Sequence, residues 1–80
     1  MLSALKTNPK VVGIKQVRRA LKEGKACHVF LADDADPQLT DPIRVQCAEQ
    51  KIPVEDGFSM KELGRACGIT VDAAVAALLN

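Results

Sequence analysis

The run CHVFLA, from Cys27 to Ala32, restricts the fold more than any other stretch of this sequence. It is short, continuous and bounded by turn signals, so it reads as a buried strand. A strand with no polar face belongs in a sheet covered on both sides. The segments around it supply the cover. Leu2–Lys6 reads as one helical turn closed by Asn8-Pro9, and Val11-Val12 as a short strand ended by Gly13. From Ile14 to Glu23 the period is helical, with Ile14, Val17, Ala20 and Leu21 on one face and Gly24 placed to stop the helix. DDADPQLTDP reads as a polar, acidic loop, followed by a helix at Ile43–Gln50 with Ile43, Cys47 and Ala48 turned inward. IPVEDGF gives another short strand. Ser59 is a good N-cap for MKELGRAC, Glu62 completes a capping box, and Gly68 ends the helix. The tail DAAVAALLN stays open between two readings: its alanines and Asp72 favour a helix, whereas seven successive apolar residues suit a strand buried on both faces. Strands alternating with helices point to an α/β domain with a partly parallel sheet.

At 80 residues this is one domain, 1–80, without linker or repeat. A chain of this size buries only about 60% of its unfolded surface, so the core is small. Phe30 and Phe58 are the only aromatic residues, which makes the core aliphatic and argues against an aromatic platform for stacking bases. Cys27, Cys47 and Cys67 form no CxxC pair, and a single His28 completes no zinc set. They read as reduced thiols, mostly in the core, of a cytoplasmic protein. The longest apolar run, Ala73–Leu79, is too short to span a membrane, and the start lacks a signal pattern.

No catalytic set emerges. His28 lies within a strand and reads as a packed or edge histidine. Asp33, Asp34, Asp36 and Asp41 lack the glycine and closing glutamate of a calcium loop, and the glycines spell neither a P-loop nor GxGxxG. The chain is expected to need no metal and no cofactor.

Charge is segregated. Residues 1–25 hold seven Lys/Arg against one acid, residues 26–58 hold two against seven, and the rest balance. Cations are disfavoured at a helix start by a few tenths to about 1 kcal/mol, yet Lys15 follows Gly13 almost at once and Arg18, Arg19 and Lys22 follow in turn. At 100° per residue these four share a stripe roughly 100° wide, with Gln16 beside it. A solvated basic face is one reading. The other is a phosphate backbone lying against the free amides of the helix start, with Gly13 allowing close approach. Lys15 and Gln16 then reach base edges while Arg18, Arg19 and Lys22 follow phosphates.

GIKQVRRALKEGKACHVFLADDADPQLT, then IPV, then SMKELGRACGITVDAA, resembles the kink-turn-binding ribosomal protein superfamily. The match runs from about Val11 to the C-terminus. It is densest at Gly13–Arg19, Ala32–Pro37 and Leu63–Gly68, and the short length and Lys-Gln after the glycine fit the bacterial YbxF-like branch. The resemblance implies a three-layer α/β/α sandwich around a four-stranded mixed sheet, with Val75–Leu79 as a strand. It also implies binding to kink-turn RNA, in which tandem G·A pairs follow a three-nucleotide bulge. Lys15, Gln16 and Arg19 align with residues contacting the G·A pairs, and Asp36 with an acid near the flipped-out nucleotide. Ile69, Thr70 and Val71 align with an apolar loop covering the bulge.

Archaeal and eukaryotic members carry Asn-Glu where this chain has Lys15-Gln16, Met60 stands where many have lysine, and Thr40 replaces a larger aliphatic residue. Bland readings stand beside the functional ones: Asp36 before Pro37 as a turn former, Ile69 and Val71 as core, Arg18 and Lys22 as solvated charge. The expected partner is structured RNA containing a kink-turn, ribosomal RNA among the candidates, bound by a monomer. The main rival is a protein-interaction or ribosome-assembly module of the same fold; a small hydrolase using Asp33–Asp36 is more distant.

Overall fold

The computed structural model describes residues 4–80. Strands β1 (Lys10–Val12), β2 (Ala26–Leu31), β3 (Val54–Glu55) and β4 (Val75–Leu79) form one sheet in the order β1-β4-β2-β3. β4 runs antiparallel to both β1 and β2, and β2 runs parallel to β3. The helices are α1 (Ala4–Thr7), α2 (Ile14–Lys22), α3 (Pro37–Gln50) and α4 (Met60–Ala66). Leu2 and Ser3, assigned from sequence to the first helical turn, lie outside the described residues.

Alternation along β2 and β4 explains the layering. Phe30, Ala76 and Leu78 point to one side, where they meet Leu5 of α1 and Leu63 of α4. Val29, Leu31, Val75 and Ala77 point to the other, against Val17 and Leu21 of α2 and Ile43 and Cys47 of α3. Successive residues feed opposite cores, as the two-residue strand period requires. The result is the α/β/α sandwich with a mixed four-stranded sheet. The alanine-rich tail is β4, one of its two central strands: Val75, Ala76 and Ala77 are fully buried. Burial on two faces outweighs a helix preference worth less than about 1 kcal/mol per residue.

Two details differ from the sequence reading. The acidic loop is shorter than expected, because α3 begins at Pro37, with Asp36 as N-cap and its carboxylate accepting from the Gln38 amide at 2.9 Å. Proline is favourable at the first helical position. Pro42 lies inside the helix and gives up one intrahelical bond without ending it. Secondly, Ala48 is exposed, and Thr40 is buried in addition to Ile43 and Cys47. The thiols are mostly in the core, as read: Cys47 and Cys67 are buried and Cys27 is exposed. Burial pushes both buried thiols up from their ordinary pKa, Lys10 opposing it slightly at Cys67, so they remain protonated and inert at neutral pH.

His28 is the packed histidine the sequence suggests. Its ring lies 4.7 Å from that of Phe30, centroid to centroid, and Nε2 lies 3.3 Å from Glu55 Oε1. Among the described residues no helix is long and apolar enough to cross a membrane.

Candidate nucleic-acid interface

The topology collects the candidate residues at one edge of the sheet. β1 and β2 end there and β4 begins there: the Gly13 amide donates to the Val75 carbonyl at 3.0 Å, and Ala32 donates to Ala74 at 3.0 Å. Because β3 is parallel to β2, it also ends at this edge. The aspartates then tie the loops together. Asp33 Oδ1 accepts from Gly57 N at 3.0 Å, and Asp34 Oδ1 accepts from Met60 N at 2.8 Å. With Asp36 capping α3, three of the four acids that sequence reading considered for a cation are hydrogen-bonded to backbone amides. Among the described residues, no group of three or more His, Cys, Asp or Glu side chains is placed to hold a metal ion.

Gly13 makes the start of α2. Its φ of 105° and ψ of 155° lie in a region that side-chain-bearing residues avoid. A Cβ there would meet nothing nearer than Gln16 Cγ at 4.0 Å, so within the fold conformation, rather than close approach of another segment, requires the glycine. Gly13 offers no side-chain acceptor, and α2 has no acid in its first turn. The first amides are therefore left open, and the helix dipole there is uncompensated by the protein itself.

Lys15, Gln16, Arg18, Arg19 and Lys22 are all exposed. Lys15 and Gln16 sit in the first turn, at the edge. Lys22 lies about 13 Å along the helix from Gly13, given a rise of 1.5 Å per residue. Arg18, Arg19 and Lys22 instead line an open cleft against Pro42 and Val45 of α3. Among the described residues Lys15, Arg18 and Lys22 pair with no carboxylate, whereas Arg19 Nε lies 3.4 Å from Glu23 Oε2. Lys25 beside Glu23 holds that carboxyl below its usual range, with Arg19 adding to the effect. Both members of the Arg19 pair are exposed, so the contact is weak and Arg19 can exchange it for a phosphate.

The loop 69–72 reaches the same edge from α4. The Ser59–Glu62 capping box is formed in both directions, at 2.9 and 3.1 Å. It fixes the start of α4, whose Met60 carbonyl accepts from Ala73 N at 3.0 Å. Gly64 lets the returning chain lie directly on the helix: a Cβ at that position would overlap the Val71 carbonyl oxygen and come within 3.2 Å of the Asp72 Cα. The loop is consequently displayed rather than buried. Ile69 is half-buried and packs on the core beneath, Thr70 is exposed, and Val71 is 66% exposed. Of the two apolar residues, Ile69 anchors the loop and Val71 presents a free apolar surface.

All ten sequence candidates are thus located. Gly13, Lys15, Gln16, Asp36 and the Ile69–Val71 loop gather at one edge, Asp36 with one carboxylate oxygen engaged in capping. Arg18, Arg19 and Lys22 extend away from it along α2. Sequence reading missed Lys61 and Arg65, which line a cleft with Ile69–Asp72. Their separation of four residues, on the solvent side of a capped helix, was the available signal.

A model of the ribosomal protein L7Ae/L30e/S12e/Gadd45 family matches residues 1–80. An RNA-binding protein of Geobacillus sp. (strain WCH70) is 48% identical over 76 residues, covering 95% of this chain and 93% of its own length. The RNA-binding protein YbxF of Geobacillus stearothermophilus is 46% identical over 70 residues, covering 88% and 85%. Among solved structures, the 15.5kD RNA binding protein of Giardia lamblia superposes with a TM-score of 0.92 at 27% identity, covering 99% of this chain and 70% of that one.

Proposed function

The chain belongs to the ribosomal protein L7Ae/L30e/S12e/Gadd45 family, and on that premise we propose that it is an RNA-binding protein that recognises and stabilises kink-turns. The observation that carries this reading is the meeting, at one sheet edge, of an uncapped cationic helix start and an exposed apolar loop. The names of relatives similar over most of the chain support RNA as the ligand class.

Recognition proceeds through shape. A kink brings two phosphate backbones together, and the open amides of α2 with Lys15 and the cations behind it offset their repulsion. Lys15 and Gln16 address base edges at the G·A pairs; a cation and an amide can both serve guanine. Val71 covers bulge bases, which are unstacked and therefore available. Binding shifts a pre-existing RNA equilibrium toward the bent form. The protein acts as a monomer in the cytoplasm, on ribosomal or other structured RNA.

A gel-shift competition tests this. The protein should prefer a kink-turn RNA to a plain duplex of matched length, with a log–log salt slope on the order of −3 for three or four phosphate contacts. Equal affinity for the two RNAs would leave the fold without the proposed function.

A further inference from the structure

We infer that the open cleft between α2 and α3 is a site for a free guanine nucleotide carrying two or three phosphates. The phosphates lie along α2 on Arg18, Arg19 and Lys22, and the base lies on α3 with its edge toward Glu49. The site stands independently of the RNA-binding reading; only its consequence, competition with RNA, rests on it.

The cleft follows from the way two helices share one sheet face. Both α2 and α3 start at the same sheet edge, and both bury their inner sides against Val29, Leu31, Val75 and Ala77. Their facing shoulders stay open. On α2 the shoulder carries Arg18 and Lys22, one turn apart, with Arg19 beside them. On α3, Pro42, Val45, Gln46 and Glu49 recur at spacings of three and four residues, which places them on one stripe. The space between the shoulders is about 570 Å³, inside the range of small-ligand clefts, about 300–1,000 Å³. Pro42 to Glu49 spans about 10.5 Å of helix axis at 1.5 Å per residue. That is close to the reach of a nucleotide from its base to its second phosphate.

The charges select this ligand over a continuous anion. Among the described residues Arg18 and Lys22 lie within 4.0 Å of no carboxylate, and Glu49 within 4.0 Å of no cation. Three cations on one wall suit phosphates. A phosphate strand or an acidic peptide running the length of the cleft would meet the Glu49 carboxylate and be repelled there. A molecule with phosphates at one end and N–H donors at the other finds cations and an acceptor in the matching places. The two oxygens of Glu49 accept from two adjacent donors. Guanine carries such a pair at N1 and N2, and adenine does not. Gln46, half-buried on the same stripe, has an amide to donate to guanine O6. Val45 is 59% exposed and belongs to neither core, so it offers the base an apolar seat.

Occupancy couples to RNA. Arg18, Arg19 and Lys22 are the cations assigned above to RNA phosphates, so a bound nucleotide neutralises them and weakens RNA binding. RNA weakens nucleotide binding by the same factor.

The test titrates the full chain, in low salt and without RNA, with GTP, ATP and inorganic tripolyphosphate by calorimetry. GTP should bind at least about fivefold more tightly than ATP, the smallest effect of a bidentate pair, and more tightly again than tripolyphosphate. E49Q should bring GTP down to the affinity of ATP and leave tripolyphosphate no weaker than before. R18Q/K22Q should weaken all three ligands by about tenfold or more. These substitutions are at exposed positions, and melting curves check folding; if the double variant is unfolded, E49Q alone decides. Equal affinity for GTP and tripolyphosphate would make the cleft a general anion patch and overturn the proposal. So would a GTP preference that survives in E49Q, or no binding of GTP at millimolar concentration. In a second arm GTP should displace a labelled kink-turn RNA more strongly than ATP at the same concentration, an advantage lost in E49Q. Binding without displacement upholds the site and overturns the competition. If the wild type does not prefer the kink-turn to a duplex, the function proposed above fails, while the RNA-free titrations still decide the cleft.

Discussion

Gly64→Ala is expected to destabilise the protein by about 2–3 kcal/mol, at the upper end of overpacking costs. For a domain of this size that lowers Tm by about 10–20 °C. The sign is informative, because the two relevant effects oppose each other. Gly64 lies within α4, and alanine in a helix interior normally stabilises by about 1 kcal/mol relative to glycine. Here the added methyl would overlap the Val71 carbonyl and crowd the Asp72 backbone. Neither can rotate away as a flexible side chain would. The loop must lift from α4, and it is anchored at both ends, through Ile69 N to the Gly64 carbonyl and Ala73 N to the Met60 carbonyl. RNA binding should weaken in the same variant even though α2 is untouched. A melting curve showing higher Tm for Gly64→Ala would mean that helix preference dominates and that the loop does not rest on the helix as described.

The second large effect is on binding. Replacing Lys15 and Gln16 together with alanine should remove two base-edge contacts worth roughly 1–3 kcal/mol each. The affinity for a kink-turn RNA should fall by about 30-fold or more, 1.4 kcal/mol being tenfold. Stability should change little, since both side chains are exposed and Val17, Ala20 and Leu21 carry the buried face of α2. Arg18, Arg19 and Lys22 remain, so weak, salt-sensitive binding to any RNA should persist. Loss of preference with retention of residual binding is therefore the expected pattern. Isothermal titration with the kink-turn and the duplex separates the two terms. Wild-type affinity in the double variant would mean that the specific contacts lie elsewhere.

Much of this fold was legible from pattern alone. The apolar run of β2, the helical period of α2 and the Ser59–Glu62 box each carry a local signal strong enough to stand without tertiary context. The tail was not legible in this way. Alanine favours helix, and only the two cores, whose residues Val75 to Leu78 supply alternately, decide for strand. Residues 37–42 were misread for a different reason. Pro37 and Pro42 look like loop punctuation, yet Asp36-Pro37 is also the signature of an N-cap followed by a first helical turn. The cost of Pro42 is one missing donor near the start of a long helix, and buried Thr40, Ile43 and Cys47 offset it.

The site divides along the same line. The cation stripe on α2 could be read because helical periodicity places it without reference to the rest of the chain. That Val71 would be displayed and Ile69 anchored depends on Gly64, whose role is visible only when α4 and the returning loop are seen together. Asp36 shows the limit from the other side: a residue assigned to RNA by resemblance also caps α3, one carboxylate oxygen accepting from the Gln38 amide.

Above all, this edge is expected to grip bent RNA. Fluorescence energy transfer between dyes on the two arms of a kink-turn RNA, followed as wild-type protein is added without magnesium, tests it most directly. Transfer should rise to the level of the folded RNA, and should stay low for an RNA whose G·A pairs are replaced by Watson–Crick pairs. No rise, or an equal rise for both RNAs, would contradict it.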